Sequence, residues 1–211
     1  MKSKFAPVPK NDAKRIKVLW QYEILDTIPE EVFDDLTELA ARICEAPIAM
    51  ITLVDENRQW FKSKVGVTVN ETSRDVSFCS HAIEQSDLFI IPDATLDKRF
   101  AKNPLVTSDP KIRFYAGAPL ITPDGHALGT LCVIDKVPRE LRPDQKQALR
   151  VLARHVMTQL ELRRHSRELT RAHRAHEEIQ GELKKAQAQL AKVRRELDKH
   201  KAKSSPRLRK P

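Results

Sequence analysis

Leucine returns every seven residues through the last quarter of the chain, at positions 162, 169, 183, 190 and 197, with His176 in the third place of the row. A second row, His165, Ala172, Ile179, Ala186, Val193 and His200, follows three residues behind each. This spacing is met by a continuous α-helix, and its apolar edge leaves water only when another helix lies along it. We therefore expect residues 163–200 to form a coiled coil, and two chains to pair through Leu162, Leu169, Ile179, Leu183, Leu190, Val193 and Leu197. No proline interrupts the run before Pro206, and Gly181 costs the helix about 1 kcal/mol. Histidines in the seam weaken it, and protonation weakens it further. The alternative is a single charged helix in water, which would leave the seam leucines exposed.

Charge divides the chain at the same place. Of 38 Lys/Arg and 29 Asp/Glu, 16 and 6 lie from Arg163 onward, which leaves 22 and 23 before it. The net charge of +9 thus belongs to the C-terminal segment, and it is no ground for reading the first part as a nucleic-acid binder. Cys44, Cys79 and Cys132 are odd in number, far apart and set in apolar stretches, the pattern of buried reduced thiols. No run approaches the length of a membrane span, and the opening Met1-Lys2-Ser3-Lys4-Phe5 leads into Pro7 and Pro9 without an apolar core. The expected location is the cytoplasm, without membrane insertion.

Residues 1–12 read as a disordered lead-in, 13–162 as one domain and 201–211 as a loose basic end. Within the domain a first helix starts near Asp12 and ends around Asp26, with Val18, Leu19, Tyr22 and Leu25 on one face. Thr27-Ile28-Pro29-Glu30 fits a capping box before a second helix with the stripe Val32, Phe33, Leu36, Leu39, Ala40 and Ile43. Ile48 to Val54 and Gln59 to Val65 read as a hairpin, Ser77 to Ile83 as a short helix, and Leu88 to Ile91 as a strand. A loop follows to Lys111. Ile112 to Ile121 and Ala127 to Ile134 flank Pro123-Asp124-Gly125, a turn that pairs them antiparallel. The last helix begins after Arg142-Pro143-Asp144 and carries Leu149, Leu152, Val156 and Leu160. Strands joined by short links and flanked by helices make this an α+β plan with one antiparallel sheet.

Several strings in this order resemble the GAF domains of bacterial sensor histidine kinases and diguanylate cyclases. They are Tyr22-Glu23-Ile24-Leu25-Asp26-Thr27, Phe33-Asp34-Asp35-Leu36, Asp55-Glu56-Asn57-Arg58-Gln59-Trp60-Phe61, and Arg74-Asp75-Val76-Ser77-Phe78-Cys79-Ser80-His81-Ala82-Ile83. Arg113-Phe114-Tyr115-Ala116-Gly117-Ala118-Pro119-Leu120 and Leu128-Gly129-Thr130-Leu131-Cys132-Val133-Ile134-Asp135 complete the set. The resemblance spans about residues 14–164. It implies a central antiparallel sheet, a ligand-sized cavity on one face, and dimerisation through terminal helices, with no fixed ligand. Members usually continue into a kinase or cyclase. No phosphoacceptor helix with a glycine-rich lid and no cyclase signature occurs here, so a signal would reach a partner, a histidine kinase or another output protein.

Cys79 and His81 raise the possibility of a thiol–imidazole pair at a helix start, the arrangement of a nucleophile. Some GAF domains reduce free methionine sulfoxide through cysteines and others attach bilins. This sequence has neither the reductase's cysteine arrangement nor a Cys-His dipeptide, and packing is the plainer role. Two ligands are too few for structural zinc. Asp93, Arg99, Asn103 and Arg113, with Tyr115, stand in or beside the long loop and are candidates for polar contacts in a pocket. Trp60, Phe78 and Cys132 join Cys79 and His81 as candidate pocket residues. The expectation is a sensory module, not an enzyme, that binds a small molecule or partner and signals through a dimeric helix. A thiol-dependent reductase, and binding of nucleic acid or an acidic partner by the basic helix, are the alternatives.

Overall fold

The computed structural model describes residues 6–204, with side chains to residue 200. It divides into two compact units, one ending at Arg164 and the other beginning at His165. In the first, helices α1 (Asp12–Gln21) and α2 (Glu31–Cys44) precede strands β1 (Ile48–Val54), β2 (Arg58–Val65) and β3 (Glu71–Ser73). A 3-10 turn (Arg74–Val76), α3 (Cys79–Ala82), β4 (Phe89–Ile91) and α4 (Pro104–Thr107) lead to β5 (Phe114–Ile121), β6 (Ala127–Asp135) and α5 (Pro143–Ser204). The six strands form one sheet in the order β3-β2-β1-β6-β5-β4, every neighbour antiparallel.

The central strands are apolar on both sides because both sides of the sheet are covered. Ala49, Ile51 and Leu53 of β1 face α1, α2 and α5, while Ile48, Met50 and Val54 face α3 and the long loop. On the first face Leu149, Leu152, Val156 and Leu160 of α5 are all buried, each contributing roughly 1.5–3 kcal/mol. The close pairing of β1 with β6 depends on Gly129, where a β-carbon would lie 1.8 Å from the Thr52 carbonyl oxygen. Backbone bonds from Gly125 N to Thr122 O (2.9 Å) and from Thr122 N to His126 O (3.0 Å) close the β5–β6 turn.

Helix α1 stops at Gln21, earlier than its apolar spacing predicts, and Glu23 and Asp26 turn through left-handed backbone (φ 46° and 58°). The capping box does not form. Thr27 Oγ1 donates to Ile24 O, the Glu30 carboxylate bonds Lys62 and Arg163, and α2 begins at Glu31 with no side-chain cap. The α2 stripe is also rotated. Thr37, Ala41 and Cys44 are buried with Phe33 and Ala40, whereas Val32 and Leu39 are exposed. The predicted long loop contains α4, and β3 adds an edge strand that carries no apolar pattern. Of the expected lead-in, residues 1–5 lie outside the described residues, and Ala6 is buried.

In the second unit α5 is helical from His165 to Ser204, so residues 201–204 of the expected loose end continue the helix, and 205–211 lie outside the described residues. Leu169, Ile179, Leu183, Leu190, Val193 and Leu197 there, and Leu162 just before them, are 53–71% exposed in the single chain. No helix among the described residues is long and apolar enough to cross a membrane.

Candidate functional site

A cavity of about 400 Å³ opens on the sheet face opposite α1, α2 and α5. Its floor is Ile48 and Met50 of β1, Gln59 and Phe61 of β2, Tyr115 of β5 and Ile134 of β6. Phe78 and Cys79, at the start of α3, form one wall, and Leu105, Asp109, Pro110 and Ile112 form another. The loop between β2 and β3 supplies Gly66, Val67, Thr68 and Val69. That loop is held by one side chain: Lys64 Nζ donates to the carbonyls of Thr68 (2.5 Å) and Val69 (2.8 Å) and to Asn70 Oδ1 (2.8 Å). Exposed Thr68, Val69, Asp109 and Lys136 mark the open side.

A buried polar cluster lies at the Cys79 end. Cys79 Sγ accepts from Thr130 Oγ1 at 3.0 Å and from Tyr115 Oη at 3.2 Å, and Thr52 and Thr130 hydroxyls are 3.1 Å apart. Burial opposes ionisation of Cys79, yet the donors gathered on its sulfur, Cys132 first among them, make it the more acidic thiol of the two. Cys132, which gives its hydrogen toward Cys79 and is itself fully buried, is pushed well above the ordinary thiol range. Tyr115 is held neutral by burial and by the thiols beside it. All three cysteines are free and buried.

The sequence-predicted site residues divide into groups. Phe78, Cys79 and Tyr115 line the cavity. Cys132 lies in the same core, next to Cys79. Trp60 packs on the other face of the sheet, since its neighbour Phe61 takes the cavity side of β2. His81 stands edge-on to Phe100 at 4.7 Å and parallel to Phe89 at 6.1 Å, and Phe100 in turn stacks on Phe78 at 4.0 Å. The loop residues brace the wall. Asn103 caps α4 by accepting from Leu105 N (2.9 Å) and donates to Val76 O (3.0 Å), and Arg113 Nη1 donates to Val106 O (3.0 Å). Arg99 is paired with Asp97 (2.6 Å) and lies over the Phe89 ring at 4.9 Å. Asp93 closes a turn with Thr95.

Most of the lining was not singled out from the sequence: Ile48, Met50, Gln59, Phe61, residues 66–69, Leu105, Ile112, Ile134 and Lys136. A period-two reading of β1 groups Ile48 with Met50, but both faces of that strand are apolar, so the alternation marks no preferred side. Among the described residues no group of three or more His, Cys, Asp or Glu is placed to hold a metal ion.

A Pseudomonas aeruginosa protein named a cyclic di-GMP phosphodiesterase is 44% identical over 133 residues. The match covers 63% of this chain but only 23% of that relative. The GAF domain of an Acinetobacter phosphoenolpyruvate-protein phosphotransferase superposes with a TM-score of 0.53 at 16% identity, covering 72% of this chain and 94% of its own. The corresponding GAF domain from Coxiella burnetii gives 0.52 at 16% identity, with 74% and 98% covered. At such identities these two likenesses bear on the fold. The GAF domain family matches residues 29–160, and these span the sheet, the cavity, α2 and the part of α5 that packs on the sheet. The chain belongs to the GAF domain family.

Proposed function

We propose that this chain is a regulatory input module. A small molecule enters the cavity, and its presence is passed through β2 and α5 to a pair of C-terminal helices that present the signal to an output protein. The module does no chemistry of its own. The name of the Pseudomonas relative supports cyclic di-GMP turnover as the output under control, with a histidine kinase as the other class of partner.

The observation that carries this reading is the two-sidedness of β2. Phe61 lines the cavity. Lys62, the next residue, projects from the opposite face, where Nζ lies 2.7 Å from Glu30 Oε1 and from Ile28 O, and 3.0 Å from Thr27 Oγ1. The same Glu30 oxygen accepts from Arg163 Nε of α5 at 3.1 Å, and Arg163 Nη1 reaches the Glu23 carbonyl at 3.0 Å. Tyr22 adds a hydrogen bond to Glu161, and Arg164 lies 4.9 Å above its ring. A ligand that favours one position of β2 over another therefore acts on the end of α5 in this unit, which is what a population shift between two arrangements requires. A non-catalytic role is supported by the burial of Cys79, which is only 1% exposed in the folded chain.

Sedimentation velocity at micromolar concentration tests the dimer on which the relay depends; a lone subunit would sink the reading. Cys79→Ser should keep fold and dimer. Thiol-dependent turnover of methionine sulfoxide that disappears in Cys79→Ser would replace the input module with an enzyme.

A further inference from the structure

The chemistry of the cavity wall narrows what can fill it. Eleven of the lining residues are apolar or aromatic, from Ile48, Met50 and Phe61 to Phe78, Tyr115 and Ile134. The buried polar atoms among them are largely committed: Cys79 to Tyr115 and Thr130, and Gln59 Oε1 to the hydroxyl of Ser77. Thr72 is the exception, since its Oγ1 is buried without a hydrogen-bond partner. The lining contains no arginine, and its single lysine, Lys136, is an exposed residue on the rim opposite in charge to Asp109.

Two magnitudes follow. A space of about 400 Å³, open on one side, is filled to the density of a protein interior of ~0.75 by a compact molecule of about 20 non-hydrogen atoms. A cyclic dinucleotide has roughly twice that number. An ionised phosphate moved from water to an apolar wall without a charged partner loses far more solvation than one rim ammonium returns.

We infer that the cavity selects an uncharged, ring-bearing molecule with a single hydroxyl or similar polar group directed to Thr72, and that it rejects phosphate-bearing ligands, cyclic nucleotides and cyclic di-GMP among them. This rests on the reading of the cavity as the sensory site. The aromatic rings of Phe61, Phe78 and Tyr115 supply flat surfaces for the ring, and the Thr72 hydroxyl gains the partner it lacks. A regulated cyclic di-GMP enzyme would then be controlled by a molecule unrelated to its substrate.

Isothermal titration of the full chain with 1-naphthol, 1-methylnaphthalene, phenyl phosphate, cyclic GMP and cyclic di-GMP decides the matter. The neutral naphthalenes should bind one per chain, at least about tenfold more tightly than any phosphate compound. Val67→Trp and Ile112→Phe fill the cavity from two different walls and should each abolish binding; the two changes are independent, so one folded variant suffices. Thr72→Val should weaken 1-naphthol several-fold and leave 1-methylnaphthalene unchanged. If a phosphate compound binds more tightly and is displaced by both filling variants, the ligand class is wrong and the sensory reading stands. If no probe of either kind binds at millimolar concentration, both fall. Binding of the naphthalenes that survives both filling variants would place them elsewhere and overturn the inference.

Discussion

The hydroxyl of Tyr115 occupies the space that a side chain on Gly117 would need. A β-carbon at Gly117 would lie 2.3 Å from Tyr115 Oη and 2.8 Å from the ring carbon that carries it. Residues i and i+2 of one strand share a face, and the missing side chain lets the tyrosine lean along β5 until its hydroxyl reaches Cys79.

Gly117→Ala should therefore push the ring off Cys79 and cost about 1–3 kcal/mol, the usual range for overpacking. Tyr115→Phe removes the nearest clash together with the bond to Cys79. In a urea-denaturation cycle of the four proteins, the alanine should be less costly in the Phe background. Equal cost in both backgrounds would show that the hydroxyl is not what the glycine accommodates.

Glu30 is the one carboxylate shared by Lys62 and Arg163. The Lys62 side chain is fully buried, so Glu30→Gln leaves an ammonium without a counter-charge, at a cost of about 2–4 kcal/mol. Lys62→Met removes the buried charge itself and should cost less. Chemical denaturation of the two variants checks the order. If the methionine variant proves the weaker of the two, Lys62 matters through something other than its charge.

Acid should weaken the domain in a defined window. Burial opposes the ionised forms of Asp12 and Glu30, but the arginines on Asp12, and Lys62 with Arg163 on Glu30, hold both carboxyls below their ordinary values. Arg150 brings Asp87 to about 2. Because these groups take up protons less readily folded than unfolded, their contribution is fully present above the ordinary carboxylate range. It disappears as pH falls through the depressed values. Urea midpoints should be level above about pH 5 and decline between about pH 4.5 and 2, with a shallower decline in Glu30→Gln.

How much of this was open to inspection in the sequence depended on where each residue's partner lies. The β5–β6 hairpin could be read because its turn is local, and the α5 stripe because four apolar residues recur at helical spacing. The capping box failed because Glu30 and Thr27 are claimed by Lys62, more than thirty residues away. Strand β3 has no apolar pattern, since Glu71-Thr72-Ser73 pairs at a sheet edge. Phe78, Cys79 and Tyr115, picked out in the sequence, line the cavity, but the rest of the lining was not picked out: it is assembled from strand faces that look alike in sequence and from loops that meet only in the fold.

Thiol labelling offers a test of the buried cluster. Burial pushes Cys44 up to about 11, and Cys132 is raised by its contact with Cys79. With iodoacetamide on the native protein, Cys79 should be modified first, because it alone of the three lines the cavity, and more slowly than a free cysteine. Cys44 and Cys132 should react only on unfolding. Peptide mass spectrometry against time gives the order, and prior modification of Cys44 would contradict it.

The exposed heptad row predicts a separable defect. In the proposed dimer, Leu183→Lys together with Leu190→Lys should weaken self-association at least about a hundredfold, since each leucine, exposed in the single chain, would be covered there at roughly 1.5–3 kcal/mol per helix. Sedimentation equilibrium measures the loss. Thermal unfolding of the first unit should be unaffected, and a parallel fall there would mean that the row serves folding instead.

Lys64 fixes the loop beside the cavity largely through main-chain oxygens of Thr68 and Val69. The identities of residues 68 and 69 are thus spared from maintaining the shape they help to form, whereas the Val67 side chain packs against the core. Random replacement of Thr68 and Val69 should yield folded proteins with an altered cavity rim, which makes this pair the natural place for evolution, or an engineer, to retune the ligand choice proposed for the cavity while the scaffold stays untouched.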